Sequence, residues 1–416
     1  MGMGTPLDSP LPPVSTDKQY KRHFLGVDIP LLLTMIALLV FGLLMLFSAS
    51  WDFSIVWLEK HPLYVFNRQL IWVGIGLFVA AVLTFLDYHL WRKLAVPTML
   101  ITIAALVGVL FVNEIRLGAA RSLLNGSVQP SELAKLMTII YLAVWLYSKR
   151  AHLHDIQLGL LPLSIILGII GGLIYLQPDL SATATVLVLG GMLFFLAGGD
   201  IRQILFLLIA AVIAAWLVVQ TSQTGQNRIH EYLTGVKDPT QSSYHVLRSL
   251  EAIINGGLFG MGIGQGATKL TGLPVPPTDS IFAVIVEELG LFGAVILIGL
   301  YGLLVWRGMA IAWRAPDLLG ALLASGIVFW IGIEAVVNMA VLVGLLPFAG
   351  NALPFISAGG SNMVASLAAI GILLNISRQR GEMGFEEEFQ ERRAYSAVVD
   401  LRGRNRRRRV SRPGRG

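Results

Sequence analysis

Leu273-Pro-Val-Pro-Pro-Thr-Asp-Ser-Ile-Phe-Ala-Val-Ile-Val-Glu-Glu-Leu-Gly290 decides how this chain is read. A proline-rich lead-in opens into an apolar run that continues to about residue 305. Three carboxylates, Asp279, Glu287 and Glu288, stand at its start. The prolines fix the entry, and Thr278 or Asp279 can cap the first turn, so the segment predicts a helix start. The run is long enough to cross a bilayer. Carboxylates at the edge of a membrane helix are costly and call for a task or a partner. Two readings stand at this point. Either Asp279 only caps the helix while the two glutamates pair with buried bases, or the acids belong to a site.

Working outward, the same apolar character recurs along the chain. It is 55% hydrophobic and only 13% charged, where soluble domains carry roughly 25% charged residues. Its mean hydropathy is +0.71. The apolar runs are about 20 residues long, the span of a bilayer in helical form. They are Leu/Ile/Val/Ala blocks without two-residue alternation, which predicts helices rather than a barrel. Ten spans are expected, near 29–49, 69–86, 94–112, 131–147, 157–176, 181–197, 201–220, 281–305, 318–343 and 361–376. The expected fold class is all-α: a polytopic integral membrane protein with ten transmembrane helices and a long extracellular loop between the seventh and eighth. Residues 1–27 form a cytoplasmic tail, 28–376 the membrane domain with its outer loop at about 221–280, and 377–416 a basic cytoplasmic tail. The first run, Ile29 to Ser48, is too long for a signal-peptide core and reads as an uncleaved span. There is no cysteine, which excludes a disulfide framework and thiol chemistry.

Basic residues set the expected orientation. Lys18, Lys21 and Arg22 precede the first span, and Arg92, Lys93, Lys149, Arg150, Arg202, Arg307 and Arg314 fall in loops on the same side. That bias predicts both termini in the cytoplasm. The arginine-rich tail, with Arg406-Arg-Arg-Arg409, suits anionic membrane lipid or a cytoplasmic partner; nucleic acid is the weaker reading.

The unusual residues gather on the opposite side. They are the loop Gly118–Lys135, the Gln177-Pro-Asp179 turn, the glycine run Gly256–Gly266, and the last connection, Leu346–Asn362. Glycine, proline and polar backbone at membrane depth are tolerated where they are buried or line a wet cavity, so a shared outward cavity is expected. Ser131 is expected to cap the fourth span. Glu132 and Lys135, three apart, share a helix face as a local ion pair, with Lys135 also suited to an anionic ligand. Arg121, Arg228, Arg248 and Lys269 are outer bases, suited to a pyrophosphate or else simply solvated loop charge. Glu334 and Asn338, one turn apart in an apolar helix, face the bundle interior as hydrogen-bonding or site residues. The glycine run has no preceding strand and is not a dinucleotide fingerprint; close backbone packing or a re-entrant turn fits it better. No His/Cys/Asp cluster has zinc spacing.

Five segments in this order resemble the SEDS family, the shape, elongation, division and sporulation proteins of the FtsW/RodA/SpoVE group. They are Gly118–Lys135 with its Gln-Pro-Ser-Glu-Leu-Ala-Lys, Gln177-Pro-Asp-Leu180, Gly256-Gly-Leu-Phe-Gly-Met-Gly262, Thr278-Asp279 with Glu287-Glu-Leu-Gly290, and Leu353-Pro-Phe-Ile-Ser-Ala-Gly-Gly-Ser361. The resemblance implies a peptidoglycan glycosyltransferase of the bacterial cytoplasmic membrane. Such a protein polymerises lipid II into undecaprenyl-pyrophosphate-linked glycan, beside a class B penicillin-binding protein and other division or elongation proteins. It places the family's essential acid on Asp279 and its Glu/Lys pair on Glu132 and Lys135. Arg121, Glu132, Lys135, Arg248, Lys269, Ser357 and Ser361 are then expected to contact substrate, with Gln177, Asp179, Glu287, Glu288, Glu334 and Asn338 supporting them. The chain departs from the family pattern at Ala120, Ser122, Ser181, Ser280 and Ala358.

On this reading Asp279 is the general base that deprotonates a sugar hydroxyl, and the bases neutralise the departing pyrophosphate. A divalent cation, magnesium or manganese, could share that task, although the sequence shows no dedicated ligand set. The rival expectations are a flippase for the lipid-linked precursor, which should show broken helices in matching halves, and a non-catalytic scaffold of the division or elongation complex.

Overall fold

The computed structural model describes residues 26–112, 115–116, 119–120, 129–221 and 223–379. The helices are α1 (Ile29–Val56), α2 (Tyr64–Phe85), α3 (Trp91–Val112), α4 (Pro130–Lys149), α5 (Leu161–Tyr175), α6 (Leu180–Leu196), α7 (Ile201–Thr221), α8 (Gln223–Lys237), α9 (Tyr244–Gly256), the single turn α10 (Thr268–Thr271), α11 (Ile281–Trp313), α12 (Leu318–Leu342) and α13 (Gly360–Gln379). Between α3 and α4, two-residue strands β1 (Ile115–Arg116) and β2 (Ala119–Ala120) pair antiparallel. This bridge leaves the class all-helical.

Seven helical segments are long and apolar enough to cross a membrane: Ile29–Val56, Tyr64–Phe85, Tyr88–Phe111, Ile156–Tyr175, Ile281–Trp313, Leu318–Leu342 and Gly360–Gln379. Leu180–Leu196 and Ile201–Ile213 are apolar but shorter. The remaining expected span, α4, carries Glu132, Lys135 and Lys149, which lower its apolar character. Burial ranks the helices. The apolar window of α13 is 89% buried and those of α11 and α12 are each 67% buried, against 28% for α2. The first three form the centre of the bundle, and α2 lies at its edge. Large apolar side chains such as Phe78, Ile101 and Trp313 point outward, as lipid-facing residues must.

Caps explain several helix starts. Asp28 accepts from Leu31 N (3.0 Å), Asp179 from Ala182 N (3.2 Å) and Asp317 from Gly320 N (2.8 Å), each worth about 1 kcal/mol. Two expected caps are not made. Gln129, not Ser131, is the N-cap of α4, and Pro130 begins it. Ser280, rather than Thr278 or Asp279, precedes α11, and it makes no side-chain capping bond. Its hydroxyl donates instead to Pro274 O (2.7 Å), closing the proline turn on itself.

The segment expected as a long loop, 221–280, contains the helices α8 and α9 and a 3-10 turn at Pro239–Gln241. Ser243 caps α9 by accepting from Val246 N (3.4 Å). Beyond α9 the chain crosses α11 where that helix is broken. Gly290 has φ 70° and ψ −169°, a conformation open to glycine. The break strands backbone groups, and the glycine segment satisfies them. Met261 N and Gly262 N donate to Glu287 O and Glu288 O (both 3.0 Å), while Leu291 N and Phe292 N donate to Gly257 O (2.9 Å) and Leu258 O (3.2 Å). A Cβ on Gly290 would sit 2.4 Å from Gly260 N. Close backbone packing is thus what the glycine run provides.

Candidate active site

Antiparallel threading brings the C-terminal end of α1 and α12 together with the N-terminal ends of α4, α6, α11 and α13. The polar residues collect there in linked groups.

The first group surrounds Asp279. Its backbone turn is held from two sides. Ser357 Oγ donates to Thr278 O (2.7 Å) and Ala358 N donates to Pro277 O (2.8 Å). Asn338 Nδ2 donates to Asp279 O (3.1 Å) and to Asn351 O (2.5 Å). The 353–359 segment is fixed in turn by Gln69 of α2, which donates to Ser357 O (3.4 Å) and accepts from Gly359 N (3.1 Å). Tyr301 OH donates to Pro354 O. Two non-glycine residues in these paired segments, Val275 (φ 44°) and Phe355 (φ 67°), adopt left-handed backbone. Such strain costs of order 1–3 kcal/mol each and persists where the surroundings over-determine it. Asp279 itself is half-buried, on a rigid frame.

The second group lies beside the first. Lys135 Nζ pairs with Glu132 Oε2 (2.9 Å) and with Glu334. Asn362 Nδ2 donates to Glu132 Oε2 (2.8 Å). The side chain of Lys135 is 4% exposed and that of Glu334 2%. Glu334 lies one turn before Asn338 on α12, so the ion cluster and the clamp on Asp279 share one helix face.

The third group is the Asp179 turn. Asp179 Oδ2 accepts from Gln129 Nε2 (3.0 Å) and Ser131 Oγ (3.1 Å), and Oδ1 accepts from Ser181 Oγ (3.1 Å) and its cap amide. Ser361 Oγ accepts from Gln129 N (3.0 Å), and Gln177 Nε2 donates to Leu106 O (2.9 Å). Ser131 therefore ties α4 to α6 rather than capping its own helix. Asp179, Gln177 and Ser361 thus join α3, α4, α6 and α13.

Other expected site residues lie apart. Lys269, proposed from sequence as a substrate contact, is buried. Its Nζ lies 2.9 Å from Glu288 Oε1 and 3.1 Å from Ser48 Oγ, and Ser48 also donates to Glu288 (2.6 Å). Its charge is spent on joining α1 to α11. Glu287 accepts from Thr268 N (2.9 Å), Thr268 Oγ1 (2.7 Å) and Ala267 N (3.1 Å). Glu288 thus pairs with a buried base, as the first reading expected, whereas Glu287 is held by backbone amides and a hydroxyl instead of a base. Arg248 pairs with Glu251 (2.7 Å) on the surface of α9. Arg121 lies outside the described residues. Sequence reasoning missed Asn362, Gln129, Gln69, Ser48 and Asn351. Gln129 opened the quoted Gln-Pro-Ser-Glu-Leu-Ala-Lys motif, and Asn351 and Asn362 lay in the quoted Leu346–Asn362 connection, which was the available signal; Gln69 and Ser48 carried none. Among the described residues no three His, Cys, Asp or Glu side chains converge as a metal ligand set. They do not fit the expected cation, and no chemical step is assigned to one.

A helical membrane bundle whose polar residues converge on one clamped acid narrows the class, and comparison with known proteins fixes it. The family profile described as "Cell cycle protein", of the FtsW/RodA/SpoVE group, matches residues 29–382. The chain belongs to that family, which is the SEDS family. It is 39% identical over 360 residues to the probable peptidoglycan glycosyltransferase FtsW of Trichlorobacter lovleyi, covering 84% of this chain and 93% of that protein. It is 37% identical over 361 residues to stage V sporulation protein E of Bacillus subtilis, covering 84% and 97%. Among solved structures it is similar to a chain of a peptidoglycan synthase complex that coordinates polymerization and crosslinking (TM-score 0.70, 28% identity, 86% and 99% covered). It is also similar to the rod shape determining protein RodA of Thermus thermophilus (TM-score 0.63, 29% identity, 86% and 98% covered).

Proposed function

We propose that this protein is a peptidoglycan glycosyltransferase that polymerises lipid II at the outer face of the cytoplasmic membrane, with Asp279 as its general base. The observation that carries the proposal is the frame around Asp279: Ser357, Ala358 and Asn338 fix the backbone of residues 277–279, and the residue is only half-buried. A base must be held within hydrogen-bond reach of the hydroxyl it deprotonates. Relatives named as glycosyltransferases, matched over nearly their whole length, support the same reaction.

In the reaction a sugar hydroxyl attacks the anomeric carbon of a second lipid-linked sugar. The glycosidic C–O bond forms as the bond to the pyrophosphate oxygen breaks. The hydroxyl proton passes to an Asp279 carboxylate oxygen, and the electron pair leaves on the polyprenyl pyrophosphate. Arg121 is the base assigned to that departing charge. Glu132, Lys135, Glu334, Asn338 and Asp179 hold the frame.

The topology belongs to the same reading. Ten spans result when α4, α6 and α7 are counted with the seven long apolar segments. Both termini are cytoplasmic, and 221–280 faces outward with the site. A class B penicillin-binding protein is the partner, as suits a chain similar to one in a polymerizing and crosslinking complex.

Purified protein in detergent with lipid II separates this reading from its rivals. Glycan strands are expected. Transfer between leaflets without polymer would mean a flippase, and no reaction without a partner would mean a scaffold.

A further inference from the structure

A cavity of about 160 Å³ opens between α8, α9 and the chain that follows α12. Arg228, Glu231, Ser242, Val246, Leu250 and Phe348 are among the residues lining it. An enclosed apolar space of about 150 Å³ holds one benzene molecule, so this cavity holds one six-membered ring.

The walls are fixed. Tyr232 OH donates to Leu345 O (3.0 Å), joining α8 to the 343–348 segment. His245 stacks on Phe348 with ring centroids 4.1 Å apart. One wall of the cavity also approaches the proposed base. The point that a Cβ on Gly350 would occupy lies 3.3 Å from Asp279 Oδ2 and 3.9 Å from Phe348 Cε1. The phenyl ring that walls the cavity therefore lies within about 7 Å of Asp279 Oδ2, the sum of the 3.3 and 3.9 Å distances.

The lining selects the occupant. Val246, Leu250 and Phe348 offer apolar surface, while Glu231 and Ser242 offer polar groups on the same space. Among the described residues the half-buried Glu231 carboxylate has no hydrogen-bond or ion-pair partner. An alkyl chain would desolvate that carboxylate without compensation. Arg228 lines the same space, so the wall carries one charge of each sign and suits a neutral group with hydroxyls better than a second net charge. A pyranose has apolar C–H faces and hydroxyls at its rim, and a carboxylate accepts from such hydroxyls in strong, charge-assisted bonds.

We propose that this cavity is a sugar subsite that seats one uncharged pyranose ring of the glycan substrate next to Asp279. The proposal rests on the glycosyltransferase reading for the identity of the glycan. Its test is separable because sugar binding needs no turnover.

The probe is di-N-acetylchitobiose, an uncharged pair of N-acetylated pyranoses, titrated by saturation-transfer NMR against the full chain in detergent. Wild type is expected to bind it. Glu231→Gln should weaken binding about tenfold, the loss of a charged hydrogen bond, and Leu250→Trp should abolish it by filling the space. In the lipid II assay Glu231→Gln should raise KM by a similar factor with kcat within twofold. No binding to wild type, unchanged binding in both variants, or saturation by farnesyl phosphate in place of the sugar would each overturn the subsite. If Leu250→Trp does not fold, Glu231→Gln on the surface of α8 decides alone. A wild type that binds the sugar but makes no polymer contradicts the enzymatic reading and leaves the subsite standing.

Discussion

Lys135→Met is the substitution whose effect the structure specifies most fully. The methionine keeps the length and apolar stem of lysine but removes the one cation shared by Glu132 and Glu334. Two carboxylates, 11% and 2% exposed on their side chains, then remain buried without their counter-charge. Breaking a buried pair by removing one partner costs about 3–5 kcal/mol. Net stabilities run to about 5–15 kcal/mol, so the variant loses a large share, and its folded-to-unfolded ratio falls more than a hundredfold. Thermal unfolding of purified protein, followed by size-exclusion chromatography in detergent, measures the loss. The companion variant, Glu132→Gln/Lys135→Met/Glu334→Gln, removes every charge of the cluster and should recover most of the stability. A Lys135→Met protein that melts with wild type would refute the structural role. If it also failed to bind lipid II, Lys135 would be a ligand contact.

Gly290→Ala should destabilise the protein by about 1–3 kcal/mol or more, because a Cβ there meets backbone of Leu258 and Gly260 at 2.4 Å; the melting temperature checks it, and an unchanged value would mean that the glycine segment gives way freely. His245 is held below the usual histidine range by its burial and then by the Arg228 charge. The unfolded chain therefore binds a proton that the folded chain resists once pH falls below about 6.5. Stability should drop between pH 7.5 and 5.5 by more in wild type than in His245→Phe, and equal drops would remove this group from the account. Reporter fusions after Arg150 and after Gly225 should label opposite sides of the membrane; the same side for both would dismantle the proposed topology.

The parts legible in the sequence were those encoded locally. Apolar runs of bilayer length marked the helices, and the three-residue spacing of Glu132 and Lys135 marked their pair. Proline and aspartate marked the Gln177-Pro-Asp179 turn, where Asp179 does cap α6. What depended on distant residues was not legible. Lys269 looked like a free outer base because Ser48, 221 residues away, gives no sign of meeting it. Asp279 looked like a cap because the sequence does not show Ser357 and Asn338 taking hold of its turn. The break at Gly290 was hidden for a related reason. A glycine inside an apolar helix is ambiguous until the segment that satisfies the broken backbone is seen against it. In 221–280 the capped, amphipathic start of α9 was a local signal, and its low hydropathy relative to the spans masked it.

The central claim is that the carboxylate of Asp279 takes a proton in glycan polymerisation. Asp279→Asn keeps the size and the capacity to hydrogen-bond, and the backbone clamps from Ser357, Ala358 and Asn338 do not involve the side chain, so the frame of residues 277–279 should be retained. General base catalysis contributes about a hundred- to ten-thousandfold. In the purified lipid II assay the variant's kcat should fall by a factor in that range, with the variant still eluting as folded protein in detergent. Polymerisation at near wild-type rate by Asp279→Asn would contradict the account and remove Asp279 as the base.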